Sequence, residues 1–383
     1  MMAKPHLTII QTTAASLQAI KTVGLFNRHR RLLHAYAQEF NVIVYSPDHF
    51  DFSAELGLPH LRPPWLPRLP GLRHLVYYVW LVWRAPRMRG VIKVVGSSLV
   101  TLGLIKRLSG CPVVVTYEWD YARQTRLSEK NPIRRWLAPW GERLGVGPAD
   151  LVTPTTPWLE EKIRRDYHKP TVMLPEWVDL DLGAGTPARD STTIVYAGRL
   201  HWSKGVDVLL SAFERAQQRH PGARLVICGT GPERERLEAQ AAAIPGVTFR
   251  GMLPNVEVVQ LLRSAAISVL PTVTMEGQPK ALVEALTCGA ACIATAIPGS
   301  QELIVDGVNG LLVPPKSSEA LAVALNRLLG DAPLRARLGQ TAAECTAQFD
   351  FELVLRQDIQ ALQGLSARSG SGRLAPVAGA AHD

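Results

Sequence analysis

The sequence predicts an α/β fold built from two doubly wound parallel-sheet domains. Short β-branched runs recur along the chain with helical patterns between them, the pattern of parallel sheets covered by helices. The stretch 178–192, VDLDLGAGTPARDST, has no apolar period and is rich in Gly, Pro, Asp and Thr, so it reads as a linker between two such series. A length of 383 residues suits two domains of ordinary size, and a chain 47% hydrophobic and 20% charged is too apolar to be disordered.

In the first domain, 1–177, strands are expected at 6–11 (HLTIIQ), 41–46, 91–95, 112–117 (PVVVTY) and 150–154, with a shorter one near 171–174. Helices fill 24–40, 99–109 and 157–167 between them. The second domain, 193–348, alternates strands at 193–197, 224–228, 247–250, 267–270, 291–294 and 310–313 with helices at 205–219, 232–243, 255–264, 279–288 and 317–329. One more helix is expected over 349–365, and the small, Gly-rich residues 366–383 read as a disordered tail. The strand ends of the two domains are expected to face each other across a cleft, where open α/β sheets bind ligands.

Lys and Arg total 42 against 33 Asp and Glu, a net charge of +9. The surplus has one location: residues 1–110 carry 14 basic and 4 acidic side chains, 111–190 carry 11 and 12, and 191–383 carry 17 and 17. Five cysteines, at 111, 228, 288, 292 and 345, form neither an even framework nor a C-x2-C pair, so no disulfide scaffold and no metal site is expected. Cys288 and Cys292 read as small apolar fillers. The opening MMAKPHLTIIQTT lacks the features of a signal peptide, and a cytoplasmic location is expected. The strongest apolar run, Leu75 to Trp83, is nine residues long, against roughly twenty for a spanning helix. Residues 61–93 interleave Trp65, Tyr77, Tyr78, Trp80 and Trp83 with Arg62, Arg68, Arg73, Arg84, Arg87, Arg89 and Lys93. Two readings fit this segment: one lying in a lipid headgroup interface, or a partly buried helix whose arginines face water.

The motifs of fingerprint Rossmann enzymes, P-loop hydrolases, zinc peptidases and α/β-hydrolases are missing. What remains is concentrated in three pieces. In YAGRLHWSKG, 196–205, a strand runs into Gly198 and Arg199, and Lys204 and Gly205 open a helix. Two cations at a strand's carboxyl end can clamp a diphosphate, or be solvated surface. LVICGTGPE, 225–233, ends a strand on Gly229-x-Gly231 before a helix, which can form an anion site but fits a plain βα turn better. In MEGQPKALVEALTCG, 275–289, Glu276 sits in a loop, Pro279 opens a helix, and Glu284 follows on it. A carboxylate beside a helix N-terminus suits sugar or ribose hydroxyls better than it suits the acid–base pair of a glycosidase.

The segment from about 193 to 330 resembles the donor-binding domain of family 4 glycosyltransferases, retaining enzymes of the GT-B fold. The resemblance rests on Gly198-Arg199-Leu200, Lys204-Gly205, Gly229-Thr230-Gly231, Gly251, the pair Glu276 and Glu284 with Gly277 and Pro279, Gly299 with Glu302, and Val308-Asn309-Gly310. It implies that Arg199 and Lys204 hold the diphosphate of a nucleotide sugar, Glu284 the ribose and Glu276 the transferred sugar. It further implies that the backbone of Gly277, Gln278, Pro279, Lys280, Ala281 and Leu282 faces phosphate or sugar, that Arg250, Gly251 and Met252 flank the base, and that helix 349–365 crosses back to the first domain. The first half departs from the family. QTTAASLQ, 11–18, replaces the usual glycine-rich turn, Tyr117-Glu118-Trp119-Asp120 stands where a histidine is common, and Pro175-Glu176-Trp177-Val178-Asp179 replaces P-N-G-V-D. Glu118 and Asp120 could bind an acceptor hydroxyl or terminate a strand.

The expectation is a retaining glycosyltransferase that uses a UDP- or GDP-sugar, needs no cofactor or obligate metal, and serves a glycan or glycolipid acceptor. Nucleic acid is not expected as a partner. The basic first third points to an anionic membrane surface on the cytoplasmic side, met by Trp80, Trp83, Arg84, Arg87 and Arg89. The alternative is a membrane- or nucleic-acid-binding protein that keeps the scaffold without turnover.

Overall fold

A computed structural model of the chain describes residues 4–12, 16–22, 26–97, 99–129, 131–178 and 190–371. The chain divides into two compact units, Met1–Leu174 with Leu355–Asp383, and Pro175–Val354.

The first unit contains strands β1 (His6–Gln11), β2 (Asn41–Tyr45), β3 (His60–Leu61), β4 (Val91–Val95), β5 (Val113–Tyr117) and β6 (Leu151–Pro154). They form one parallel sheet in the order β3-β2-β1-β4-β5-β6. Both faces of this sheet are covered, so the inner strands read as continuous apolar runs. Helices α1 (Leu17–Thr22), α2 (Phe26–Glu39), α3 (Ser53–Leu56), α4 (Pro70–Arg84), α5 (Leu102–Ser109), α6 (Tyr121–Ser128), α7 (Pro132–Val146) and α8 (Pro157–Tyr167) connect them. Ile10, Tyr45, Tyr77, Leu81, Ile92 and Val115 pack in one core cluster. The strand expected near 171–174 is a single bridge between Thr171 and Val152.

The second unit contains β7 (Asp190–Ala197), β8 (Arg224–Cys228), β9 (Val247–Gly251), β10 (Ala265–Leu270), β11 (Ala291–Thr295) and β12 (Leu311–Val313). Its helices are α9 (Val206–Gln217), α10 (Arg234–Ala241), α11 (Asn255–Ser264), α12 (Lys280–Thr287), α13 (Pro298–Gln301), α14 (Ser318–Gly330) and α15 (Ala332–Glu344). The parallel sheet runs β12-β11-β10-β7-β8-β9. Leu209, Phe213, Leu225, Ile227, Ile267 and Leu325 fill its core, and Cys292 is buried within β11 while Cys288 is half-buried. Trp177 packs on Phe351 with ring centroids 4.4 Å apart and the planes tilted by 57°, and Val178 bridges to Asp350 beside it.

The two sheets are wound alike. Each begins at one of its two central positions, adds two strands to one side, then reverses and adds three to the other. The reversal falls between β1 and β4 in one unit and between β7 and β10 in the other. Ligands of doubly wound sheets bind at the carboxyl ends of such strands.

Helix α16 runs Phe351–Ser371, and its residues from Leu355 onward belong to the first unit. It extends past the helix expected at 349–365, so residues 366–371 are helical rather than tail. The rest of the tail, and linker residues 179–189, lie outside the described residues. Asp358 ties α16 to the first sheet, pairing with Lys93 of β4 and accepting from Tyr36 of α2. Among the described residues, no helix is long and apolar enough to cross a membrane.

Candidate active site

The switch point of the second sheet gathers the residues that sequence patterns single out. Chain leaving β7 passes through Gly198 and Arg199 into a short turn, Trp202–Lys204, before α9. Chain leaving β10 continues as Pro271 and Thr272. Gly205 makes their close approach possible: its φ is +64°, and a Cβ there would collide with the Pro271 carbonyl oxygen. The Val273 N–H donates to the Ser203 carbonyl at 2.9 Å, which locks the two loops together.

That juncture brings Lys204 to Glu276. The ammonium pairs with Glu276 Oε1, and the Thr272 hydroxyl donates to the same oxygen at 2.7 Å. The Lys204 and Glu276 side chains are 26% and 15% exposed, so the pair can be reached from solvent yet is largely shielded from it. Tyr196 lies beneath it in β7; burial, then the Glu276 charge, raise its pKa, and its hydroxyl donates to the Arg199 carbonyl at 2.9 Å. The Arg199 side chain is exposed. His201 shows the sign of the local field: its pKa is lowered by burial and then by Arg199 and, more weakly, Lys204.

Backbone bonds knit the neighbouring strand ends together. Gly198 N–H donates to Cys228 and Leu200 N–H to Thr230, both at 2.9 Å, and Gly229 N–H donates to Gly251 at 2.7 Å. A side chain at Gly231 would strike the Leu200 carbonyl, and one at Gly299 would strike that of Gly277. Arg250 and Met252 lie exposed beside these turns. Pro232 falls in the turn ahead of α10, a little before the helix itself.

Helix α12 and the turn before it carry the remaining residues singled out in the second unit. Pro279 is its N-cap. Gln278 Oε1 accepts from the Glu176 N–H at 2.7 Å, and Lys280 pairs with the Glu176 carboxylate at 3.0 Å. Glu284 accepts from Asn255 at 2.9 Å. Leu282 is 2% exposed, so a ligand could meet only its backbone. Thr272, Glu176 and Asn255 were not singled out for this site from sequence. Thr272 had a signal, because it follows a buried strand directly at the reversal of the sheet.

The first-unit candidates lie elsewhere. Asp120 is buried, caps α6 by accepting from the Arg123 N–H at 2.8 Å, and lies 3.7 Å from Lys162. Burial raises its pKa. Lys162 in turn pairs with fully buried Glu142 of α7 and donates to Tyr117 at 2.9 Å. Asp120 thus belongs to a network that fixes the start of α6 against the C-terminal half of α7, while Glu118 is half-buried at the end of β5. Of the segment 61–93, Trp80 is half-buried against Tyr45 and Tyr77, with ring centroids 5.7 and 6.3 Å away. Trp83 is 58% exposed, with Arg87 and Arg84 at 5.0 and 5.9 Å from its ring. Arg87 and Arg89 are exposed and Arg84 half-buried. Lys93 does not join them, because it is buried against Asp358.

Residues 184–344 match the family model described as glycosyl transferases group 1. The chain is 29% identical to the phosphatidyl-myo-inositol mannosyltransferase of Mycolicibacterium smegmatis over 278 residues, covering 71% of this chain and 69% of that protein. Among solved structures it is similar to the sucrose-phosphate synthase of Thermosynechococcus elongatus, with a TM-score of 0.74 and 22% identity over 94% of this chain and 99% of that one. It is also similar to Anabaena HepE, solved in complex with UDP and glucose, with a TM-score of 0.72 and 18% identity over 94% and 99% of the two chains. Two parallel sheets of one winding are the arrangement of the GT-B fold, which these solved structures share. Within that fold, residues 184–344 carry the similarity to the glycosyl transferases group 1 family.

Proposed function

We propose that the protein is a retaining glycosyltransferase that moves a sugar from a UDP- or GDP-sugar to a hydroxyl of a lipid-linked or cell-surface glycan precursor, with no obligate metal. The observation that carries this reading is the Lys204–Glu276–Thr272 cluster at the sheet reversal. It is a paired cation and carboxylate beside the N-terminus of α12, where unpaired N–H groups attract an anion. The UDP and glucose bound to Anabaena HepE support a nucleotide-sugar donor, and the mannosyltransferase of M. smegmatis supports a lipid-linked acceptor.

The chemistry follows from the pair. Sugar hydroxyls donate to Glu276, which frees the Lys204 ammonium to turn toward the diphosphate. The bond from the anomeric carbon to the diphosphate oxygen breaks, and its electron pair stays on the phosphate. Arg199, Lys204 and the first N–H groups of α12 stabilise that charge, a contribution that preorganised donors make without solvent rearrangement. The acceptor hydroxyl attacks the anomeric carbon on the face the phosphate leaves, and its proton passes to the departing phosphate oxygen. No protein base is required. Glu284 takes the ribose hydroxyls, and Arg250, Gly251 and Met252 flank the base.

Proton NMR of the transfer or hydrolysis product from an α-linked UDP- or GDP-sugar tests this reading. The first-formed product has the α configuration, and the rate persists in EDTA. A β product would end the retaining assignment, and failure to consume any nucleotide sugar would end the enzymatic one.

The acceptor is proposed to reside at an anionic membrane surface on the cytoplasmic side, approached through Trp83, Arg84, Arg87 and Arg89, with half-buried Trp80 anchoring that helix.

A further inference from the structure

Helix α7 shows its apolar side to solvent. Ile133, Trp136, Leu137, Trp140 and Leu144 are 66, 68, 47, 58 and 52% exposed, and their spacing places them on one stripe of the helix. The side facing the unit is built from small and charged groups. Gly145 packs so closely on Ser97 that a Cβ would strike its carbonyl, and Glu142 is held by Lys162 and by Tyr167 at 2.5 Å. The helix is therefore firmly seated, and its apolar stripe is not a poorly packed core face. Helix α5 lies against both α4 and α7. On α4, Leu75, Val79 and Trp83 are 58, 61 and 58% exposed. Arg134, at the start of α7, is among the charges that lower the pKa of His74 on α4, after burial and Arg73, so the start of α7 lies within electrostatic reach of α4.

We propose that α7 inserts Trp136 and Trp140 into the headgroup–acyl boundary of an anionic bilayer, as the apolar half of a surface whose basic half lies at the end of α4. The proposal rests on the membrane-borne acceptor above for its purpose, and on the side chains of α7 for its evidence. Charge selects the occupant. Arg134, Arg135 and Arg143 border the stripe and are exposed, and the first 110 residues carry 14 basic against 4 acidic groups. Anionic lipid complements such a rim, and Trp is favoured where an apolar surface meets headgroups. A second copy of the chain is disfavoured, because a two-fold contact presses the same basic rim against itself.

The test is sedimentation of the full chain with vesicles of phosphatidylcholine containing phosphatidylglycerol, or of phosphatidylcholine alone, with Trp quenching by brominated lipid as a depth probe. The wild type binds the anionic vesicles and is quenched. The pair Trp136→Ser/Trp140→Ser keeps its circular dichroism and melting temperature yet binds at least about tenfold more weakly. If that pair binds like the wild type while Arg84→Gln/Arg87→Gln/Arg89→Gln does not, the role of α7 is overturned and the membrane reading stands. If the wild type binds no vesicle, both fall. Equal binding to neutral vesicles overturns the anionic preference, and a wild-type dimer by light scattering that the Trp pair dissolves makes the stripe a self-association face instead.

Discussion

Glu276 Oε1 receives both Lys204 and Thr272, an arrangement that fixes the carboxylate before any sugar arrives. The residues of this cluster were partly legible: Lys204, Glu276 and Glu284 stand in recognisable motifs, whereas Thr272 and Glu176 acquire meaning only through the turn between β10 and α12. Asp120 shows the opposite case. Its place after β5 fits an acceptor contact, but the geometry gives it a cap and a buried ammonium to answer. His201 reports the field beside Arg199 and Lys204. Its Nδ1 accepts from the Ser203 N–H at 3.3 Å, which requires the neutral ring, and its folded pKa lies below the ordinary 6.5. Protonation therefore opposes the folded form: the stabilisation is complete above pH 6.5 and declines as the pH falls through the lowered value. Removing a neighbouring cation favours the imidazolium, so the His201 midpoint measured by NMR rises in Arg199→Ala and, by less, in Lys204→Ala. An unchanged midpoint in both would show that burial alone sets it.

At the scale of elements, strands were the most legible because buried parallel strands are continuous apolar runs. Helix α7 was not. Pro139 inside it reads as a breaker, and its outward apolar stripe inverts the usual pattern of a surface helix. Its start is nonetheless well marked, by Pro132 in the first turn and by Asn131, which accepts from Ile133 at 2.9 Å. Helix α16 was placed correctly along most of its length, yet its anchor was hidden, since Tyr36, Lys93 and Asp358 are far apart in sequence. The Lys93 and Asp358 side chains are 7 and 8% exposed. Asp358→Ala strands a buried ammonium and is expected to cost about 3–5 kcal/mol in urea unfolding of the whole chain. Lys93→Met with Asp358→Leu should recover most of that loss, because an apolar pair leaves no charge to solvate. A single-variant loss below about 1 kcal/mol would place the pair among ordinary surface bridges.

The whole chain is two copies of one winding put to different uses. In the second unit the reversal of the sheet is the proposed donor site, and residues 191–383 balance 17 basic against 17 acidic groups. The positive surplus lies in the first unit with α4 and α7, where a lipid surface is the proposed counterpart. The winding was legible from the alternation of strands and helices, but composition alone could not show that the basic segment and the aromatic helix both pack on α5. The most direct test of the account is the steady-state kinetics of donor hydrolysis and transfer for Lys204→Ala beside the wild type. Loss of one preorganised cation at a departing diphosphate should lower kcat about 10²–10³-fold while the melting temperature holds. An unchanged kcat would contradict the assignment of this cluster as the donor site.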